Sequence, residues 1–202
     1  MLEWSRRREF LLRNEIAESL SLNSPLDLSK TLHNYACVSL ILRGPYDNLE
    51  IGFIQRALHP NDRWGGHIAF PGGKKEDADV SDLGTALRET FEEVGIDLLP
   101  EELIGRLDDI QARKHGTMLD FFIRPFVFYT EREFHVHLDQ NEVADFFWIS
   151  LNDLRNPQRQ TQYELKRDDV FIKLPAISVD RDPPLWGLTY MMTQNLLKHL
   201  AK

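Results

Sequence analysis

The sequence predicts an α/β (α+β) domain in which helices pack on a mixed sheet. Three observations carry that class. The chain has 202 residues, 42% of them hydrophobic, which is ample to bury one core. Strand-like and helix-like runs intermix without the regular strand–helix–strand alternation of an all-parallel sheet. One helical pattern, residues 81–94, has a capping residue at each end: Ser81 suits the N-cap, Asp82 the first turn and Gly95 the position just past the end.

Residues 3–22 are helix-like, with Phe10, Leu11, Ile16 and Leu20 among charged positions, and a Ser-Leu-Asn-Ser-Pro breaker ends them. Residues 1–34 therefore read as an N-terminal helical extension, either a docking arm or an extra helix. Residues 36–42 and 49–56 read as two strands joined by Gly44-Pro45-Tyr46-Asp47-Asn48, a turn-forming run that makes them a hairpin. Residues 59–75 are rich in Gly and Pro and read as a loop leading to the helix at 81–94. Strands follow at 103–110, 120–129 and 143–149, then a short helix at 151–155, a strand at 170–177 and a terminal helix at 188–202. Neither internal repeats nor low-complexity stretches interrupt residues 35–202, which read as one domain with the last helix included.

Lys and Arg number 24 against 32 Asp and Glu, a formal charge of −8 and a pI near 5.4, a field that repels nucleic acid. Apolar runs fall short of the roughly 18 residues of a membrane span, and the N-terminus lacks the apolar core of a secretion signal. The expectation is a soluble, cytoplasmic protein with neither a nucleic-acid nor a membrane partner, and a homodimer is left open. The single cysteine, Cys37, lies in the apolar run 35–42 and reads as a buried thiol rather than a nucleophile.

The most informative stretch is residues 70–96, FPGGKKEDADVSDLGTALRETFEEVGI. At about 100° per residue, Glu92 and Glu93 fall within roughly 60° of Glu89, while Leu83, Leu87, Phe91 and Val94 cluster on the other side. The expected helix is thus carboxylate on one face and core on the opposite one. Like charges at i, i+3 and i+4 repel, so the triplet points to a cationic partner. Mg²⁺ prefers oxygen ligands and shares them with substrate phosphates, so an acidic helix beside a Gly-rich loop suits metal-assisted phosphate chemistry. The glycines allow close backbone approach, and a free carbonyl there can complete a coordination shell.

Phe70 to Gly73, followed by Arg88-Glu89 and Glu92-Glu93-x-Gly95, closely resembles the Nudix box, G-x5-E-x7-R-E-U-x-E-E-x-G-U with U aliphatic. Two departures stand out: one extra residue between Gly73 and Arg88, with Asp79 where the first Glu would fall, and Thr90 at the first U. The coenzyme A diphosphatase branch of that family is similar in this spacing, in Phe-Pro-Gly-Gly and in Thr85-Ala86-Leu87-Arg88-Glu89. Leu185-Trp186-Gly187-Leu188-Thr189 looks like a Trp-Gly-x-Thr element of the same branch, and a tryptophan there would also pack the last helix on the sheet. The fold implied is a Nudix-type α/β/α sandwich with a mixed sheet, plus the N-terminal helix.

Position by position, the resemblance implies Glu89 and Glu93 as the principal Mg²⁺ or Mn²⁺ ligands, Glu92 as a further ligand or base, and Gly72 as the donor of a backbone carbonyl. Arg88 becomes the orienter of a catalytic carboxylate, a role that its fork of donors suits. Asp79 reads mainly as a turn former. The branch's substrate motif has Arg56 and Gly66 in place and Arg63 as a looser match, but Ala57 stands for a Ser and Trp64 for a His. Arg56, Arg63, Trp64 and Gly73 are the substrate-binding candidates, Trp64 by stacking on a base or pantetheine, or else by packing its loop. Arg113, with Lys114 and His115, forms a short basic cluster suited to a substrate phosphate or to a solvated loop tip. Glu142 occupies a loop from which Nudix enzymes often supply another ligand or base. His135 and His137 alternate on a strand-like run with no third ligand signalled.

The expected activity is hydrolysis of a diphosphate that links a nucleoside to another moiety, coenzyme A or its derivatives favoured, with Glu92 or Glu142 taking the proton from water. ADP-ribose, a nucleotide sugar or a dinucleoside polyphosphate are alternative substrates. A non-catalytic nucleotide sensor is a different kind of alternative. A decapping role is disfavoured by the acidity.

Overall fold

The computed structural model describes residues 2–22, 24–60, 62, 64–114, 116–167 and 170–200. Its centre is β1 (Tyr35–Arg43), a run of apolar residues buried on both faces, as a central strand requires. Its side chains alternate: Val38, Leu40 and Leu42 enter one core, whereas Cys37 and Ile41 enter a second on the other side of the sheet.

One edge of β1 is shared. Its end, Leu42 and Arg43, pairs antiparallel with β2 (Glu50–Arg56) in the expected hairpin, and its start, Ala36 to Val38, pairs with β4 (Gly72–Lys74). The other edge pairs in parallel along its whole length with β7 (Thr117–Thr130). β3 (Ile68–Ala69) and β8 (Val143–Ser150) extend the sheet from β2, and β5 (Leu103–Arg106) and β6 (Ile110–Lys114) extend it from β7. The sheet is mixed, as predicted. Helix α2 (Asp82–Val94) covers one face, with Ala86 and Val94 in the core there. The other face is covered by α1 (Leu2–Ser21), α3 (Leu151–Arg155) and α4 (Gly187–His199). Among the described residues, no helix is long and apolar enough to cross a membrane.

The N-terminal helix is part of this packing. Leu12, Ile16 and Leu20, spaced four apart, are buried in the same core as α4's Met192 and Leu196. Helix and strand meet closely at Gly105, where a Cβ would lie 3.0 Å from that of Leu20. The side chains of Phe10 and Leu11 lie outside the described residues.

Three expectations are corrected. The strand expected at 103–110 is two, β5 and β6, because Asp109 turns inward between them. Its side chain is fully buried and accepts two hydrogen bonds from Arg124, at 3.0 and 2.7 Å, and one from Arg106 at 3.1 Å. Its carboxylate also accepts from the Leu28 N–H at 2.8 Å, which straps the segment after α1 onto the sheet. Second, residues 160–167 form β9 (Gln160–Arg167), which pairs with β10 (Val170–Ile177) and through it β11 (Leu185–Trp186) in a separate three-stranded sheet. Its sequence, QTQYELKR, is polar at most positions, so it carries little alternation to read.

Third, the core-facing side of α2 is shifted from the one expected: Val94 is buried and Leu83 and Leu87 pack against the core as expected, but Phe91 does not. Thr85, Ala86, Thr90, Glu93 and Val94 are buried, while Phe91 is 57% exposed. The small Ala86 and Thr90 let the helix settle close to β1, and that orientation carries the acidic stripe to the rim of the contact instead of to its far side. The Thr90 hydroxyl donates to the carbonyl of Ala86 at 2.7 Å and bonds the Ser39 hydroxyl of β1 at 2.8 Å.

Removing one partner from a buried ion cluster strands the remaining charge, typically at about 3–5 kcal/mol. Asp109→Ala is therefore expected to lower the melting temperature by roughly 10 °C, measured by calorimetry. A loss under 2 °C would show that Asp27 and Asp82 are enough to hold the Arg124 charge.

Candidate active site

The first half of β1, the turn before β4 and the sheet-facing side of α2 meet at one place. The Ser39 N–H donates to the carbonyl of Pro71 at 2.8 Å and holds the Pro-Gly-Gly turn against β1. The next N–H, that of Gly72, donates to Oε2 of Glu93 at 2.8 Å. Backbone in close approach requires glycine at Gly72, whereas a Cβ at Gly73 would displace the Glu89 carboxylate. A Cβ on Gly72, where φ is +142°, would stand 2.3 Å from the Cys37 carbonyl oxygen, and one on Gly73 would stand 2.3 Å from Oε2 of Glu89. The Glu89 carboxylate thus lies directly on the Gly73 backbone.

Arg88 organises the acidic side chains. Nε and Nη2 bond the two oxygens of Asp79, each at 2.9 Å, while Nη1 reaches Glu92 at 2.8 Å and Nη2 reaches Glu89 at 3.0 Å. Asp79 also accepts from the Thr85 hydroxyl and the Glu76 N–H, both at 2.9 Å, and the Arg88 bonds hold its carboxyl well below the usual range. Asp79 is thus a turn former, as expected, and also the residue that anchors Arg88. An acid standing where the first Glu of the box would fall is the sequence signal for this.

Glu93 is 3% exposed. Burial pushes its pKa up from 4.5 to about 8; the Gly72 N–H opposes the shift, and the charges of Glu89 and Glu142 add to it. Burial raises Glu89 as well, against the pull of Arg88. Glu142 is exposed, in the loop before β8, yet its charge bears on both Glu89 and Glu93. The loop is docked on the end of α2: the His137 and Asp139 N–H groups donate to the carbonyls of Val94 and Glu93 at 2.9 and 3.0 Å. From its other side, the Glu142 carbonyl accepts from the Ala57 N–H at 2.8 Å.

Arg56, at the end of β2, pairs with Asp62 at 2.8 Å, and its charge eases the ionisation of Glu93. Trp64 sits in the next turn, where its backbone N–H donates to Asp62 at 2.9 Å. Arg63 and His115 lie outside the described residues. Arg113 is not brought to this site. It pairs across from Met118, whereas Gly73 is level, through Cys37, with Arg124 of β7, about 20 Å further along the strand. The buried Cys37 thiol, pushed up to about 12 mainly by burial, fits the structural role expected of it.

The donor set suits a hard divalent ion: hard oxygen donors, one of them a buried carboxylate with no cation bonded to it among the described residues. Among the described residues, no three His, Cys, Asp or Glu side chains stand close enough together to hold a metal ion unaided. Mg²⁺ is commonly held by one or two carboxylates, with waters and substrate phosphates filling the rest of its shell, so Glu89 and Glu93 meet that need.

A glutamate whose pKa is raised by folding stabilises the protein below its unfolded value and loses that contribution as pH rises through its folded value. In chelator, the melting temperature should fall between pH 4.5 and about 8, and Glu93→Gln should flatten the slope. Saturating Mg²⁺ at pH 8 should raise the melting temperature of the unmodified protein more than that of the variant. Equal slopes in the two proteins would remove Glu93 as the source.

Comparison with known proteins places the chain in a family. The NUDIX domain profile matches residues 35–169. An uncharacterised protein of Schizosaccharomyces pombe is 39% identical over 115 residues, 55% of this chain and 35% of its own length. The mitochondrial coenzyme A diphosphatase NUDT8 of Mus musculus is 30% identical over 138 residues, 67% of this chain and 63% of its own. The chain thus spans less than two thirds of the length of these curated relatives. A MutT/nudix family protein from Enterococcus faecalis shares the fold, with a TM-score of 0.56 at 19% identity over 88% of this chain and 63% of that one. With the profile match covering more than half of its residues, the chain belongs to the Nudix family, whose hydrolases act on diphosphate bonds.

Proposed function

We propose that this chain is a metal-dependent hydrolase that cleaves the diphosphate of a nucleoside diphosphate linked to another moiety, coenzyme A or its derivatives being favoured. The observation that carries the reading is the pair Glu89 and Glu93, folded under the Gly72-Gly73 backbone in a Nudix domain. The name of the mouse relative supports the substrate preference.

In this reading Glu89, Glu93 and the Gly72 carbonyl hold Mg²⁺ or Mn²⁺, with Glu92 as a further ligand. The ion, when bound, supplies charge neutralisation on the phosphates and a lowered pKa for water. Arg88 keeps Glu89 and Glu92 aligned through its anchor on Asp79, leaving little reorganisation to the reaction itself. Glu92, whose side chain is 57% exposed, and Glu142 on the facing loop are the carboxylates that accept the proton from attacking water. Arg56 and Trp64 line the substrate's approach.

The small molecule is the partner, and nucleic acid and membrane play no part. A cytoplasmic setting belongs to the same proposal, and the mouse relative is by name mitochondrial. Residues 1–34 serve as an extension that completes the core of the domain formed by residues 35–202.

Purified protein should be assayed against coenzyme A, ADP-ribose, nucleotide sugars and dinucleoside polyphosphates with Mg²⁺ or Mn²⁺. Coenzyme A is expected to turn over fastest, and Glu89→Gln and Glu93→Gln should each lower kcat by on the order of 10² or more. Near-normal rates in both variants would overturn the assignment, and binding without product in a single-turnover assay would make the protein a sensor.

A further inference from the structure

The segment between β7 and β8, residues 131–142, is fixed near both of its ends. At its start, Arg132 bonds both oxygens of Glu102, each at 2.7 Å, and further on Phe134 and Leu138 pack against the core beneath α2. A Cβ on Gly95, where φ is +70°, would stand 3.0 Å from that of His137, so the loop lies against the end of the helix.

Near its other end the hydrogen bonds converge on Asp139. The Asp139 N–H donates to the Glu93 carbonyl at 3.0 Å, and its own carbonyl accepts the N–H groups of Glu142 and Val143 at 3.0 and 2.8 Å. Its Oδ1 accepts the N–H and the side-chain amide of Asn141, both at 2.9 Å. An Asp side chain that takes the N–H two residues on forms a turn of its own and shapes the chain after it. Asp139 meets no cation among the described residues, so its side chain serves as an acceptor.

Glu142 is thus tied to the buried Glu93 through a single residue. Its N–H is on Asp139 and its carbonyl is on the Ala57 N–H, which leaves neither main-chain group loose. Its carboxylate makes no hydrogen bond or ion pair among the described residues, whereas that of Glu92 is taken by Arg88 at 2.8 Å. A fixed backbone under an uncommitted carboxylate suits a group that must receive a proton at one place.

We propose that Asp139 is the positioning residue for Glu142: its side chain shapes the turn 139–143, and that turn sets the Glu142 carboxylate against Glu89 and Glu93. This rests on the reading of Glu142 as an acceptor of the proton from attacking water and adds what holds it there. Asp139 itself touches neither substrate nor metal.

Two measurements test this, one of which needs no substrate. In metal-free protein, hydrogen exchange of the peptide covering 139–143 should rise at least tenfold in Asp139→Ala and stay near that of the unmodified protein in Asp139→Asn, which keeps the acceptor; peptides of β1 and β7, unchanged, show that the fold is kept. With coenzyme A and Mg²⁺, Asp139→Ala should lower kcat about tenfold with KM unchanged, and Asp139→Asn should recover most of the loss. Glu142→Gln should lower kcat by about 10², and adding Asp139→Ala to it should cost nothing more, because the position of a carboxylate matters only while it is present. Unchanged exchange or unchanged kcat in Asp139→Ala, equal losses in the alanine and asparagine variants, or a full further loss in the double variant would each overturn the proposal. Absence of turnover in the unmodified protein would instead overturn the hydrolase reading, and the exchange measurement tells the two failures apart.

Discussion

The hydrogen bond from the Gly72 N–H to the Glu93 carboxylate joins the glycine turn to helix α2, and the geometry of the acidic site follows from it. For that bond to form, the turn must lie against β1, which the Ser39 N–H achieves through the Pro71 carbonyl. The helix must also come close enough for a carboxylate to rest on glycine backbone, which Ala86 and Thr90 permit by being small. A larger residue at any of these positions would lift α2 and return Glu93 to solvent, where it would be an ordinary surface acid. Burial of an acid without a bonded cation is costly on its own. The fold accepts that cost at the place where a divalent ion would offset it.

Arg88 and Arg124 solve related problems, one at the middle of α2 and the other at its start. Arg88 gathers Asp79, Glu89 and Glu92 near the middle of the helix, so three like charges share one fixed cation. Arg124 gathers Asp27, Asp82 and Asp109, tying together the N-terminal segment, the start of α2 and the break between β5 and β6. Much of the chain's acidic surplus is therefore organised about guanidinium groups or gathered at the site, not spread evenly over the surface.

What the sequence disclosed was local. The caps of α2, the hairpin, the Gly-rich turn and the acidic spacing depend on neighbours within a few residues, and all were legible. The burial of Glu93 was not, because helical periodicity says which residues share a face without saying which face meets the sheet. Phe91 illustrates this: its hydrophobicity marked it as core, yet the contact is made by Thr90 and Ala86. The break at Asp109 depends on an arginine from another strand. Strand β9 is held by pairing with β10 and by the contact of Tyr163 with Trp186, neither of which leaves an alternating pattern. Roles at the site came from resemblance, and the positions of their bearers from the fold.

The parallel pairing of β1 with β7 has a consequence for how the chain acquires this arrangement. Tyr35 pairs with Phe122 and Arg43 with Thr130, so the central contact of the sheet joins segments separated by the hairpin, the glycine turn and all of α2. Such a long loop must close before the sheet can hold together, and topologies of this kind fold slowly. On the ribosome, β1, β2, β4 and α2 emerge before their parallel partner exists. The turn and helix that bury Glu93 are thus made before the strand that locks β1 into the sheet, so the site's supporting sheet is completed by residues far downstream of it.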